Sequence, residues 1–369
     1  MRIIFAGGGT GGHLYPGLAI ARAIVGENPA VKPFFIGARR GIERDVLPQT
    51  EFPFELLDLH PLYRSRIWEN WRTLRGAVSA WSRIGTMVRG EAPRCIVATG
   101  GYASGLALGY GAANRIPLVL QEQNTFPGIT TRFFSRYASQ VHLGFPEART
   151  HLKPSARTEI FDSGNPIEPP PADAFAKGPA RAKWGFSTST GKVLLVYGGS
   201  QGSKAMNDVV AEWVKRGLPR GLSVIWATGK GNYDEFSRLE TETVRIKPYI
   251  APISDAYRAA DFALSRAGAM ATAELCAWGI PVVVVPLPTA AADHQTANAK
   301  ALVGAGAAAL ILQSELTTDR LQSTVARLLA EPQELESMRA KSLERARPTA
   351  AADIAKKILR LIESTPSRG

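Results

Sequence analysis

Apolar and polar positions fall in alternating blocks along this chain, and the blocks predict strands and helices in turn. Ile3-Ile4-Phe5-Ala6 is a short continuous apolar run, the pattern of a strand buried on both faces, and Pro16-Gly17-Leu18-Ala19-Ile20-Ala21 reads as the start of a helix. Strand-like runs recur at 34–36, 54–57, 95–98 and 117–120, with helical stretches between them. After Gly164-Asn165-Pro166-Ile167 the composition shifts to Glu168-Pro169-Pro170-Pro171, which reads as a linker. The pattern then restarts with runs at 193–197, 224–227, 262–264 and 282–285. From Thr317 to Glu363 the chain reads as helical, and Ile354, Ile358, Leu361 and Ile362 form one face of the last helix. Such alternation predicts an α/β fold, with a parallel sheet and covering helices in each of two Rossmann-like domains, 1–165 and 166–346.

Polar and glycine-rich segments follow the strands. The first is Gly7-Gly8-Gly9-Thr10-Gly11-Gly12-His13, between a strand and a helix N-terminus. Glycines let a ligand approach the backbone, and free amides with the helix dipole favour an anion. Gly7, Gly9 and Gly12 also fit the dinucleotide fingerprint G-x-G-x-x-G. The second strand ends in Arg39-Arg40 rather than an acidic residue, which suits a 2′-phosphate and keeps an NADP oxidoreductase open. No Lys-Ser or Lys-Thr pair closes the loop, which argues against a P-loop NTPase. Further segments of this kind are Thr99-Gly100-Gly101-Tyr102-Ala103-Ser104-Gly105, Gln121-Glu122-Gln123-Asn124, Gly198-Gly199-Ser200-Gln201-Gly202-Ser203, the stretch from Ser265 to Glu274, and Asp293-His294-Gln295. In open α/β sheets the carboxyl ends of strands form the binding crevice, so these segments are expected to line a site.

Charge sharpens the choice of partner. A net charge of +12 over 369 residues draws a protein to phosphates, nucleic acid or an anionic membrane. No RNA- or DNA-binding motif supports the nucleic-acid option. Residues 62–90 carry Ile67, Trp71, Leu74, Val78, Trp81 and Val88 at helical spacing, with Trp68 and with Arg64, Arg66, Arg72, Arg75, Arg83 and Arg89 among them. That pattern fits a helix packed on the sheet, or a basic, tryptophan-bearing surface that meets a membrane. Cys95 and Cys276, both in apolar surroundings, suit a reducing compartment better than a disulfide framework. The N-terminus enters a strand at once, leaving no room for a signal peptide, and no apolar run reaches the ~18 residues of a spanning helix. No His, Cys or carboxylate set has metal-ligand spacing, and no cofactor is implied.

Taken together, GGGTGGHLYPGLAIA, TGGYASG, EQNTFPG, GNPI, YGGSQGS, SRAGAMATAEL and ADHQTANA stand in order over both halves. This series resembles the MurG family of bacterial UDP-N-acetylglucosamine transferases (GT-B, glycosyltransferase family 28), which convert lipid I to lipid II in peptidoglycan synthesis. The resemblance implies two facing Rossmann-like domains, with the last helix, about 347–369, crossing back to the N-terminal one. It implies UDP-GlcNAc contacts from Ser200, Ile250, Arg266, Ala269, Met270, Ala271, Thr272, Ala273, Glu274 and Gln295, with Thr10, Gly11, Gly12 and Asn124 reaching across. The acceptor diphosphate is expected on Gly9, Thr10, Gly101, Tyr102 and Ser104. His13 is the expected general base, and Glu122 the alternative. The chemistry implied is an inverting transfer at the cytoplasmic face of the membrane, to a polyprenyl-diphosphate acceptor that stays in the bilayer, by a peripheral protein that meets the anionic membrane surface and no nucleic acid. Two positions depart from the family pattern: Glu168 stands where an Arg often follows GNPI, and Gln121 replaces the His of HEQN. Another GT-B UDP-sugar enzyme, such as a UDP-GlcNAc epimerase, is the nearest rival.

Overall fold

The computed structural model of the chain describes residues 1–59, 70–171, 177–187 and 191–365, and of residues 70–75 and 77 the backbone alone. Two compact units result, Met1–Glu168 with Arg347–Gly369, and Pro169–Ala346.

Unit 1 begins β1 (Arg2–Gly7), α1 (Gly11–Glu27), β2 (Lys32–Ala38), α2 (Glu43–Val46), β3 (Phe54–Leu57), α3 (Asn70–Gly90) and β4 (Pro93–Gly100). It continues with α4 (Tyr102–Ala113), β5 (Leu118–Glu122), α5 (Ile129–Phe134), β6 (Gln140–Leu143) and β7 (Glu159–Phe161). The strands form one sheet in the order β3-β2-β1-β4-β5-β6-β7, parallel throughout. Near-continuous burial of Ile3 to Gly7 and Cys95 to Thr99 is what a parallel sheet covered on both faces demands.

Unit 2 comprises α6 (Lys177–Lys183), β8 (Lys192–Tyr197), α7 (Lys204–Arg216), β9 (Leu222–Ala227), α8 (Tyr233–Phe236), β10 (Val244–Lys247) and α9 (Ser254–Ala259). After these come β11 (Phe262–Ser265), α10 (Ala269–Ala277), β12 (Val282–Val284), α11 (His294–Gly304), β13 (Ala308–Leu310), α12 (Thr318–Ala330) and α13 (Pro332–Arg345). Its sheet, β10-β9-β8-β11-β12-β13, is also parallel and repeats the order of unit 1. In each unit the order reverses beside the first strand, and the ends of β1 and β4, or of β8 and β11, flank that switch point.

The stretch expected to be helical from Thr317 to Glu363 forms three helices, α12, α13 and α14 (Ala350–Ser364). Pro332 sits in the first turn of α13, where a missing amide costs nothing, and Pro348 lies between α13 and α14. The last helix belongs to unit 1. Its Ile354, Ile358 and Ile362 are fully buried in one cluster with Leu14, Leu18 and Ile24 of α1 and Phe5 of β1. Arg94 at the start of β4 donates through Nη2 to the carbonyls of Ile362 and Thr365, holding the helix end.

Helix α3 departs from the expected face. Ala80 and Ile84 are buried, whereas Val78 and Trp81 are exposed. Residues 62–69, with Arg64, Arg66, Ile67 and Trp68, and the side chains of Trp71, Arg72, Leu74 and Arg75 lie outside the described residues.

Candidate active site

In unit 1 the loops after β1 and β4 meet backbone to backbone, and Gln123, after β5, joins them through its side chain. Gly101 has φ +78°, and a Cβ there would stand 2.1 Å from the Gly8 carbonyl oxygen, so only glycine fits. His13, in the first turn of α1, places Nδ1 3.1 Å from the Thr99 carbonyl and 3.0 Å from Gln123 Oε1. Gln123 Nε2 donates to the same Thr99 carbonyl at 2.8 Å, which directs its oxygen to the imidazole. Both neighbours of Nδ1 are acceptors, so Nδ1 carries the proton and Nε2 holds the basic lone pair. The network extends inward: Gln121 Nε2 donates to Asn165 Oδ1, and Asn165 Nδ2 to the Gln123 carbonyl. Gln121 is thus buried structural polarity, and Asn165 of the GNPI segment is its partner.

Helix α1 begins without a side-chain cap or an acidic residue in its first turn, and Thr10 at its N-cap is exposed. The amides of Gly11 and Gly12 meet no acceptor among the described residues, the arrangement that receives an anion. Helix α4 also starts uncapped, at Gly101, with Tyr102 half-buried beside Gly9.

Three expectations change here. The Gly9 amide donates to Glu43 Oε2 at 2.9 Å, and Ala38 N donates to Glu43 Oε1 at 3.1 Å, so the Gly9 amide already has a carboxylate partner. Glu43 is fully buried under the loop, a role with no sequence signal because it lies in another element. Ser104 is fully buried and its hydroxyl donates to the Gly101 carbonyl at 2.8 Å, so its side chain shapes the loop rather than facing outward from it. Glu122 is still within β5 and buried, and its carboxylate accepts from Asn124 N at 3.1 Å and Gly128 N at 3.0 Å. That carboxylate braces its own loop, including Asn124, which leaves it poorly placed as a base.

In unit 2 the segments after β8, β11 and β12 are tied together by Arg266. Its Nη1 donates to the carbonyls of Val285 and Pro286 at 3.1 and 3.0 Å, and its Nη2 to Ser203 Oγ at 2.7 Å and Gln313 Oε1 at 2.6 Å. All four acceptors are neutral, and burial lowers the guanidinium pKa from its ordinary value. Ser203 Oγ also accepts from Met206 N, capping α7, so one hydroxyl joins the arginine to the helix that follows the third glycine loop. Ser200 is exposed at that loop's tip.

Helix α10 opens at Gly268 with no side-chain cap and no acidic residue among its first residues, so the Ala269-Met270-Ala271 end presents positive potential. Thr272 Oγ1 bonds back to the Gly268 and Ala269 carbonyls at 3.0 and 3.1 Å, and Ala273 is half-buried. Glu274 is the sixth residue of α10, beyond the turn where the dipole acts, so dipole complementation does not account for it. Tyr257 donates to its Oε2 at 2.7 Å. Gln295, in the first turn of α11, accepts from Leu287 N at 3.0 Å, which leaves its amide nitrogen as a donor. Just before it Ala292 and Asp293 both hold positive φ, local strain of the kind found at ligand sites. Ile250 is 7% exposed, so its side chain packs inward and the exposed ring nearby is Tyr249. Among the described residues no group of three or more His, Cys, Asp or Glu side chains is placed to hold a metal.

Comparison with known proteins gives two family models, the glycosyltransferase family 28 N-terminal domain over residues 3–143 and the C-terminal domain over 193–358. A UDP-N-acetylglucosamine--N-acetylmuramyl-(pentapeptide) pyrophosphoryl-undecaprenol N-acetylglucosamine transferase of Chlorobaculum parvum is 38% identical, covering 99% of this chain and 100% of that protein. The same-named protein of Prosthecochloris aestuarii is 39% identical, covering 97% and 98%. Among solved structures, Acinetobacter baumannii MurG superposes with a TM-score of 0.76 at 26% identity, covering 97% of this chain and 99% of that one. A UDP-GlcNAc 2-epimerase from Neisseria meningitidis has a TM-score of 0.64 at 16% identity over 98% and 100%, a likeness of fold alone.

Proposed function

The chain belongs to glycosyltransferase family 28, and we propose that it transfers N-acetylglucosamine from UDP-GlcNAc to the C4 hydroxyl of N-acetylmuramic acid in undecaprenyl-diphosphate-linked MurNAc-pentapeptide, converting lipid I to lipid II. What carries this reading is near-full-length identity to transferases of that name, supported by two separate anion-friendly clusters. Unit 1 takes the acceptor diphosphate, on Thr10, Gly101 and Tyr102 with the open amides of α1. Unit 2 takes the nucleotide sugar, with Ser200, Arg266 and the α10 N-terminus at the diphosphate, the backbone at Ile250 at the uracil, Glu274 on ribose or sugar hydroxyls, and Gln295 on GlcNAc.

In the reaction the acceptor O4 attacks the anomeric carbon, the C4 hydroxyl proton passes to His13 Nε2, and the bond from C1 to the β-phosphate oxygen breaks, with its electron pair leaving on UDP. The Nδ1 hydrogen bonds fix the tautomer a base needs. Positive potential from Arg266 and the α10 N-terminus stabilises the departing diphosphate.

A polyprenyl acceptor stays in the bilayer, so the enzyme works at its surface as a peripheral protein of the cytoplasmic face. No helix among the described residues is long and apolar enough to cross a membrane. Besides Val78 and Trp81, unit 1 carries Ile129, Phe133 and Tyr137 at four-residue spacing, each at least half exposed. Arg132 and Arg136 lie over the neighbouring rings of Phe126 and Phe133, both at 4.8 Å. Apolar side chains among arginines suit an anionic interface.

The test is transfer of radiolabelled GlcNAc from UDP-GlcNAc to a lipid I analogue, with thermal shift by UDP, UDP-GlcNAc and NADPH in parallel. Product formation and stabilisation by the UDP ligands alone are expected. Stabilisation by NADPH, or release of an epimerised UDP-sugar without transfer, refutes the reading.

A further inference from the structure

The donor-side cluster contains a hydrogen-bond chain that the transfer itself does not use. Tyr197 ends β8, Tyr257 lies in α9 and Glu274 in α10. The Tyr257 hydroxyl donates to Glu274 Oε2 at 2.7 Å, and the Tyr197 and Tyr257 hydroxyl oxygens are 3.2 Å apart. Both phenols are buried, and burial, with the Glu274 charge adding to it, raises their pKa values, so both keep their protons. The carboxylate is the strongest acceptor in reach, so the Tyr257 proton points to it and the Tyr197 proton points to the Tyr257 oxygen. The chain therefore has one direction, Tyr197 to Tyr257 to Glu274. Its rings are fixed by packing: Tyr257 lies 5.6 Å from the Trp278 ring centroid and meets Tyr197 edge-on at 6.3 Å.

A free glutamate side chain has several rotamers, and a ligand that needs one of them must order it on binding. We infer that Tyr257, backed by Tyr197, is a positioning residue for donor recognition, holding the Glu274 carboxylate in the rotamer that accepts a donor hydroxyl. A carboxylate offers about four lone-pair sites, so a bond from Tyr257 does not by itself exhaust it. The inference rests on the donor-binding role given to Glu274 above. It also explains why two phenols occupy the rear of a nucleotide-sugar site: phenylalanine would fill the same space but could not orient the carboxylate.

The experiment is a double-mutant cycle in the full chain with Tyr257→Phe, Glu274→Ala and the double variant, reading KM for UDP-GlcNAc, KM for the lipid I analogue, kcat and the thermal midpoint. Glu274→Ala is expected to raise the UDP-GlcNAc KM by about tenfold to a hundredfold. Tyr257→Phe, which keeps the ring against Trp278, should raise it by about fivefold to tenfold with the acceptor KM unchanged. The double variant should be no worse than Glu274→Ala, because Tyr257 acts only through the carboxylate. Tyr197→Phe should act in the same direction and more weakly. The inference is overturned if the effects of Tyr257→Phe and Glu274→Ala multiply, or if Tyr257→Phe leaves the UDP-GlcNAc KM unchanged while Glu274→Ala raises it. An unchanged KM in Glu274→Ala itself is a different pattern, and it removes the donor-binding role of Glu274 along with this inference.

Discussion

His13 offers a substitution that separates holding the loop from moving a proton. Its Nδ1 is shared between the Thr99 carbonyl at 3.1 Å and Gln123 Oε1 at 3.0 Å, and the Thr99 hydroxyl donates to the His13 carbonyl at 2.6 Å. Alanine removes both the Nδ1 donor and the Nε2 lone pair. Asparagine places an amide nitrogen near Nδ1 and keeps a donor for the same acceptors, but has nothing where Nε2 stood. As general base His13 should contribute ~10²–10⁴ in rate, or about 3–5 kcal/mol of barrier. The Nδ1 hydrogen bond should contribute about 1 kcal/mol to stability. His13→Asn and His13→Ala are therefore expected to lose kcat alike, by that range, in radiolabel transfer to a lipid I analogue. Only His13→Ala should melt lower, by about 2–4 °C, and UDP binding should be unchanged in both. A His13→Asn variant with kcat within about threefold of the parent refutes the base assignment, since a true base gives ~10² or more. Loss confined to the acceptor KM would make His13 a binding residue.

Arg266→Lys keeps a charge but replaces a planar fork, bonded to four acceptors, with a point ammonium; UDP titration should show affinity reduced by about tenfold, and unchanged affinity places the diphosphate elsewhere. His142 is buried with Nδ1 2.9 Å from Ser163 Oγ, and burial, with the nearby Lys357 charge, lowers its pKa to about 3 from 6.5. Above pH 6.5 neither state is protonated there; below it the unfolded chain takes up a proton the native state refuses, so stability falls by ~1.4 kcal/mol per pH unit until the folded pKa is reached. Urea unfolding of His142→Asn at pH 7 and pH 5 should show a shallower loss than the parent, and equal losses would mean that His142 takes up its proton in the native state. Replacing Ile129, Phe133 and Tyr137 together with Ser should weaken co-sedimentation with anionic vesicles by about tenfold or more; full binding by this variant would put the membrane contact elsewhere on the chain.

The central strands were legible because their chemistry is local. Both faces of β1, β4, β8 and β11 are covered, so each reads as an unbroken apolar run followed by glycine or polar residues. Strands β6 and β10 carried no such signal, although the edge strand β3 did. β6 is Gln-Val-His-Leu and β10 Val-Arg-Ile-Lys, short elements whose pairing is set by the strands beside them rather than by their own composition. Glycine loops show in sequence that an anion is welcome, but not which amides remain free to receive it. At Gly9 the decision is made by Glu43, a contact from a distant segment. The same holds for side chains. Ser104 stands beside glycines like any phosphate-binding serine, yet the turn of α4 buries it; Ser203 closes a glycine loop in the same way, yet it joins a helix cap to Arg266. A motif therefore names the chemistry of a loop, while the partner of each polar atom comes from another strand's end. That distinction makes Glu122 a brace rather than a base: its sequence position suits either role, but the carboxylate is buried, and each of its oxygens is already held by an amide of its own loop, Asn124 N on one and Gly128 N on the other.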